Sequence, residues 1–176
     1  IKKTVIGDVM NIKKVRVDKE GTGMGWGAVY AQYLESMDQI SGQGNGLSVS
    51  RQLYKGDEAL NESAPLKVGD KITVRLTVKA DRDMDFVQIK DDRAACMEPL
   101  QAVSGFRWSN GLGYYQATKD ASTQFFIDQM RKGTYVIEYQ VYVNRTGEYQ
   151  AGIATVQSAY APEFGGHTGG YRVMVE

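Results

Sequence analysis

Between residues 134 and 143 apolar and polar positions alternate. Tyr135, Ile137, Tyr139, Val141 and Val143 fall on one side, and Val136, Glu138, Gln140 and Tyr142 on the other. Successive side chains of a strand point to opposite faces, so this period of two predicts a half-buried strand. A turn is expected at 144–147. A second strand is expected from about 149 to 160, ended by Pro162, which has no N–H to give a ladder. The alternation recurs upstream. Ile72, Val74, Leu76 and Val78 make the cleanest apolar face of the chain, and Leu47, Val49, Arg51 and Leu53 make another that carries one charge.

Weaker patterns predict short strands at 3–6, 10–17, 86–90 and 124–130, with Tyr171, Val173 and Val175 closing the sheet. One more is expected at 26–34, where Trp26, Ala28, Tyr30, Gln32 and Leu34 share a face. The glycines at 42, 44 and 46 read as a flexible loop. Between 96 and 122 the alternation dissolves into Gly, Ser, Asn and aromatics, the signature of a long loop, and such loops are often functional. Phe106, Trp108, Tyr114 and Tyr115 are its candidate interaction residues, either as a sugar-stacking or protein-docking platform or as a cap on one open end of the core.

Short β-branched runs separated by turn signals, with Tyr the commonest aromatic, place the chain among all-β antiparallel sandwiches or barrels. Its 176 residues suit one domain, or one and a piece, with a core that needs no metal or disulfide. Twenty-one basic residues balance 21 acidic ones, which argues against a nucleic-acid groove. No apolar run reaches membrane-span length. The start at Ile1 rather than Met is what a piece of a longer polypeptide would show.

Candidate chemistry changes this picture little. The run from Gly23 to Ala28 fits G-x-G-x-x-A, but an aromatic, β-prone segment follows instead of a helix N-terminus, so a hairpin turn is expected and not a dinucleotide site. Asp81, Asp83 and Asp85 are spaced like the start of a calcium loop, yet Phe86 and Asp92 stand where that loop needs Gly and Glu. That leaves a looser calcium site or a solvated turn with Arg82 as partner. His167, the single histidine, lies among glycines, a poor setting for a positioned base, and reads as an exposed loop residue. Asn61 and Asn144 each head an N-x-S/T triplet and read as turn residues. The lone Cys96 excludes an internal disulfide and reads as a small buried hydrophobe. No catalytic, cofactor or metal residue is expected.

Taken in order, several of these segments resemble one family. The Lys132-Gly133 start, the long amphipathic strand, the Thr146-Gly147 turn and the exit through Tyr160-Ala161-Pro162-Glu163 resemble the closing strands of a bacterial alpha-2-macroglobulin, in its last macroglobulin-like domain. The segments 66–78, 81–93, 111–115 and 119–126 resemble the strands leading up to them. Residues 26–33 look like the stretch that follows the thioester domain, most like Bacteroides-type versions. The family's thioester joins a Cys to a Gln three residues on; here Cys96 is followed by Met97, Glu98 and Pro99, so the Gln is missing.

The resemblance implies a macroglobulin, fibronectin-like β-sandwich over residues 24–176, preceded at 1–23 by a hairpin shared with the preceding domain and added to the same sheet. It implies a non-catalytic C-terminal module of a protease trap in the periplasm or at the outer cell surface. The module's partners would be other domains of the same polypeptide and, through the full-length protein, target proteases. The alternative reading is a carbohydrate-binding or adhesive module that uses the aromatic segment of residues 104–115.

Overall fold

The four apolar side chains of 72–78 lie fully inside the protein, and those of 135–141 pair with them one for one: Val78 with Tyr135, Leu76 with Ile137, Val74 with Tyr139 and Ile72 with Val141. The structure is a computed structural model that describes residues 14–27, 30, 34–61 and 64–176. It divides into two units, residues 1–34 and 35–176.

In the first unit the described residues form no strand. The expected strand at 3–6 lies outside the described residues, as do 10–13, and residues 14–17 are not in a strand. Gly21 and Gly23 bend the chain with φ of 90° and 101°, so the glycine motif makes a turn, but no strand flanks it among the described residues. Trp26, Tyr30 and Leu34, expected on one strand face, are almost fully exposed and belong to no strand. Alternation yields a strand only where an edge is free to pair and an apolar face waits to be covered.

The second unit begins with a 3₁₀ turn at Met37–Gln39 and then runs through β1 (Gln43–Asn45), β2 (Leu47–Lys55), β3 (Glu58–Ala59), β4 (Lys71–Ala80), β5 (Met84–Asp92), β6 (Met97–Pro99) and β7 (Gly105–Ser109). It continues through β8 (Leu112–Thr118), β9 (Ser122–Met130), β10 (Gly133–Val143), β11 (Gly147–Ala151), β12 (Ala154–Ser158), β13 (Gly165–His167) and β14 (Tyr171–Val175). Every ladder between these strands is antiparallel. Hydrogen bonds run unbroken from β6 through β10, β4, β2, β1, β13, β12, β5, β9 and β8 to β7, and β11 with β14 forms a separate pair. The long path does not close on itself. One half, β6-β10-β4-β2, faces the other, β12-β5-β9-β8-β7, across a shared core in which Phe125 of β9 meets Tyr139 of β10 with ring centroids 5.9 Å apart. The fold is thus the expected all-β antiparallel sandwich.

The bend between the halves is made by glycines. A Cβ on Gly166 would sit 2.7 Å from the carbonyl oxygens of Gln43 and Leu47, and one on Gly44 would sit 2.6 Å from the Leu47 oxygen. Within the stretch 42–46, expected as a loop, residues 43–45 instead pair as β1 with residues 165–167, β13, likewise expected as loop, because only glycine lets the two backbones come so close. His167 is therefore a strand residue.

Two further expectations are corrected. The strand expected at 149–160 is two strands, broken at Gly152, where a Cβ would collide with Asp92. The break lets β11 pair with β14 while β12 pairs with β5 and β13. The loop expected at 96–122 holds β6 and the hairpin β7-β8, which turns on Asn110 and Gly111 with φ of 50° and 78°. Two positive φ values are what a two-residue hairpin turn of the Asn-Gly kind requires.

Because Leu76 is completely buried opposite Ile137, Leu76→Ala should cost about 2–5 kcal/mol in denaturant unfolding. A cost below about 0.5 kcal/mol, typical of surface sites, would contradict this placement.

Candidate interaction surface

Three of the four aromatic residues singled out in the sequence reach solvent together. Phe106 of β7, Tyr115 of β8 and Phe126 of β9 sit opposite one another in successive strands and form a row across the outer face. Phe106 and Tyr115 meet edge to face at 5.1 Å, a favoured geometry for aromatic rings. Trp108 faces Gly113 across the hairpin and lays its ring over that residue, within 2.9 Å of where a Cβ would be. Phe106 is 83% exposed and Trp108 76%. Tyr114 points the other way, as the neighbour of Tyr115 on a strand must, and its ring packs in the core on Phe125 at 5.7 Å. The exposed rings line an open groove whose other walls include Asp85, Asp128 and Arg131.

At the edge of this groove stands Phe86, whose φ of 53° puts a bulky residue in the left-handed region. Such a backbone costs roughly 1–2 kcal/mol and persists where its surroundings hold it. Here the Phe86 carbonyl accepts a hydrogen bond from the Ala159 N–H at 2.9 Å, and its ring meets that of Tyr160 at 5.1 Å, edge to face. Tyr160 is 78% exposed. The strained residue thus presents a second aromatic pair at the surface, one the sequence did not announce.

The polar centre of the fold lies inside. Arg51, the single charge on an apolar strand face, reaches from β2 to the Asp91 carboxylate of β5 at 2.5 Å and to the Gly152 carbonyl at 2.6 Å. Asp91 also accepts the Tyr139 hydroxyl of β10 at 2.7 Å, and the guanidinium lies 4.6 Å over the Tyr171 ring of β14. Burial is the largest influence on Arg51 and by itself would lower its pKa, but the charge and hydrogen bond of Asp91, together with Tyr171 and Tyr139, outweigh it and hold the guanidinium above its ordinary value. Burial raises the Asp91 carboxyl against the pull of Arg51 and Tyr139, and it raises the Tyr171 hydroxyl to about 12. Asp91 was not flagged in the sequence. Its signal was its position in phase with Val87 and Ile89, the buried face of β5.

The remaining candidates are occupied locally. Asp81 pairs with Arg82 at 2.9 Å, the turn partner expected for it, and Asp83 accepts the Lys132 N–H at 2.7 Å. Among the described residues no group of three or more His, Cys, Asp or Glu side chains is arranged to hold a metal. The His167 Nδ1 lies 3.1 Å from the neighbouring Thr168 carbonyl oxygen. Asn144 donates to Glu98 at 3.3 Å. Cys96 is fully buried, as expected, and burial pushes its thiol pKa up. Among the described residues no helix is long and apolar enough to cross a membrane.

A family model described as Bacterial Alpha-2-macroglobulin MG10 domain matches residues 46–163. The sandwich superposes on Salmonella alpha-2-macroglobulin reacted with methylamine with a TM-score of 0.63 at 20% identity, over 77% of this chain and 10% of that one. Trypsin-activated alpha-2-macroglobulin from Escherichia coli gives a TM-score of 0.65 at 15% identity, over 78% of this chain and 11% of that one. Native Escherichia coli alpha-2-macroglobulin from domain MG7 to the C-terminus gives 0.64 at 17% identity, over 77% and 24%. Among curated proteins, circularly permutated Ras protein 2 of Dictyostelium discoideum is 27% identical over 166 residues, which is 90% of this chain and 4% of that protein. The chain spans a small fraction of each of these relatives.

Truncating one side of a buried ion pair strands the other charge. Asp91→Ala is expected to cost about 3–5 kcal/mol in denaturant unfolding, while the double replacement Arg51→Met, Asp91→Leu should recover most of that loss. A loss below 1 kcal/mol for Asp91→Ala would show that the carboxylate does not carry the Arg51 charge.

Proposed function

The chain belongs to the bacterial alpha-2-macroglobulin MG10 domain family, and on that premise we propose that it is a non-catalytic structural domain of a bacterial alpha-2-macroglobulin-like protease inhibitor, a trap for proteases. The family match over residues 46–163 carries the reading. In it, proteolytic cleavage elsewhere in the full-length protein triggers the trap. This domain packs against the thioester domain and neighbouring macroglobulin domains and helps hold the uncleaved arrangement. The protein acts in the periplasm or at the outer cell surface.

The outer aromatic face supports a packing role. Contiguous exposed rings on a folded domain mark surfaces that another body covers, and Trp and Tyr recur as the residues that anchor such contacts. Phe106, Trp108 and Tyr115, joined by Phe126, Phe86 and Tyr160, would supply the contact, and Tyr114 would support them from within. The polar chemistry supports a non-catalytic role. His167 sits in a ladder between Gln43 and Thr155, and the Cys96 thiol is buried.

One observation favours a second reading, a carbohydrate-binding module: the Trp108 ring is held against Gly113 while the residue stays 76% exposed, which leaves an aromatic surface that a sugar could stack on.

Two experiments separate these readings. The pair Phe106→Ala and Trp108→Ala should change the domain's stability by less than about 1 kcal/mol yet weaken protease inhibition by the full-length protein. Unchanged inhibition, together with glycan binding that is lost in Trp108→Ala and Tyr115→Ala, would favour the sugar module. Cys96 should resist alkylation in the folded chain and react on unfolding, and methylamine should add no mass to this chain. A methylamine adduct would refute the passive role.

A further inference from the structure

Two strand edges border a space that neither fills. β2 pairs with β4 from Leu47 to Tyr54, but on its other edge it meets β1 only at Leu47 and β3 only at Tyr54 and Lys55. Along an antiparallel strand, every second residue directs its N–H and C=O to the same edge. The Leu53 carbonyl accepts the Leu60 N–H on the β3 side at 2.9 Å, and Leu47 pairs with Asn45. Val49 and Arg51, in phase with both, therefore direct their main-chain groups at a stretch of edge that has no ladder partner among the described residues.

β14 repeats the situation on the opposite wall. Each of its residues pairs with β11. On the other edge the Leu66 N–H donates to the Met174 carbonyl at 2.9 Å, and the Leu66 carbonyl accepts from Glu176 at 2.8 Å. Farther along, the Gly170 N–H donates to the Ile40 carbonyl at 3.2 Å. Arg172 lies between these contacts and in phase with them, without a ladder partner on that edge among the described residues. Between the two edges runs a groove of about 320 Å³, walled in part by Val49, Leu53, Leu66 and Val173.

We propose that this groove seats one further β-strand, donated by a segment of the same polypeptide outside residues 1–176; the proposal rests on reading the chain as one domain of a larger trap. A strand is the ligand because the open main-chain groups of Val49 and Arg51 recur at the two-residue spacing of a ladder, with those of Arg172 open on the β14 side, and an extended peptide backbone carries the matching donors and acceptors. The open stretch of β2, 49–52, takes about three or four residues at ~3.3 Å each. Their inward side chains must be small or apolar to lie on Val49, Leu66 and Val173. So short a segment buries far less than the ~1,200 Å² of ordinary stable complexes. Tethering to the same polypeptide offsets this by raising the local concentration to the order of millimolar. An inserted strand would join the β11-β14 pair to the main sheet.

Amide hydrogen exchange tests the proposal in the 176-residue chain and in the full-length protein that contains it. In the shorter chain the Val49, Arg51 and Arg172 amides should exchange within about tenfold of the free-peptide rate, while Ser48 and Ser50, bonded to β4, are protected. In the uncleaved full-length protein the three amides should slow by at least a hundredfold. Val49→Pro removes one donor that points into the groove and none that points to β4, so in full-length protein it should restore fast exchange at Arg51 and Arg172. Arg172→Pro makes the same test from the opposite wall if the first variant does not fold. Three amides already protected in the shorter chain would show that the seam is closed, and three amides equally fast in both proteins would show that nothing enters it. Slowing that survives the proline variants would mean a neighbouring domain covers the groove without pairing. Any of these three results overturns the proposal. Protease inhibition by the same full-length protein reads out the trap function separately, so the two ideas can fail independently.

Discussion

The Arg51 side chain is the point on which the sandwich is assembled. Through one guanidinium and the carboxylate it meets, β2, β5, β10, the connection at Gly152 and β14 are brought to a common centre. A buried cation is tolerated only when its donors find acceptors and an opposite charge lies beside it. That requirement is stricter than any apolar contact, since a methyl group packs acceptably in many positions and a guanidinium in very few. The pair therefore contributes more to which arrangement forms than to how stable it is: strands from both halves must approach in one register for Arg51 to be satisfied.

A second constraint works at the backbone. The two halves belong to one continuous ladder and need a place where that ladder turns from one layer to the other. The glycine strands β1 and β13 provide it, since carbonyl oxygens come where a Cβ would otherwise stand. Gly152 does the same for the second switch, where the chain leaves the β11-β14 pair and enters the main sheet beside β5. Both places look like loops in composition because the residue that permits the closest packing also permits the greatest freedom. Which property prevails depends on what lies opposite.

The outer face shows a different economy. The β7-β8 hairpin projects Phe106 and Trp108 into solvent although the core, which holds Tyr114, is one residue away in register. Phe86 keeps a left-handed backbone that brings its ring against Tyr160 at the surface. Both arrangements leave aromatic rings largely in solvent. The packing role proposed above calls for such a surface, and the stretches of β2 and β14 left without a ladder partner among the described residues would extend the proposed contact from side chains to backbone.

Much of this was legible in the chain. The faces at 72–78 and 135–143 declared themselves because a sheet with one covered side leaves a period of two in the sequence, and Arg51 stood out as a charge in an apolar phase. The order of these segments also pointed to the macroglobulin family, which the match over 46–163 bears out. The Asn110-Gly111 turn was there to be read, but its flanks were aromatic and glycine-rich on both faces, so no alternation marked them as strands. What the tertiary structure alone decided was pairing. Asp91 became the partner of Arg51 across 40 residues, two glycine runs became a ladder, and one long β-prone run was divided between two sheets. At residues 26–34 a similar alternation led to no strand at Trp26, Tyr30 or Leu34. Local sequence records which way side chains point along a strand. It does not record which edge lies alongside, and in an antiparallel sandwich that second choice is made by contacts far apart in the chain.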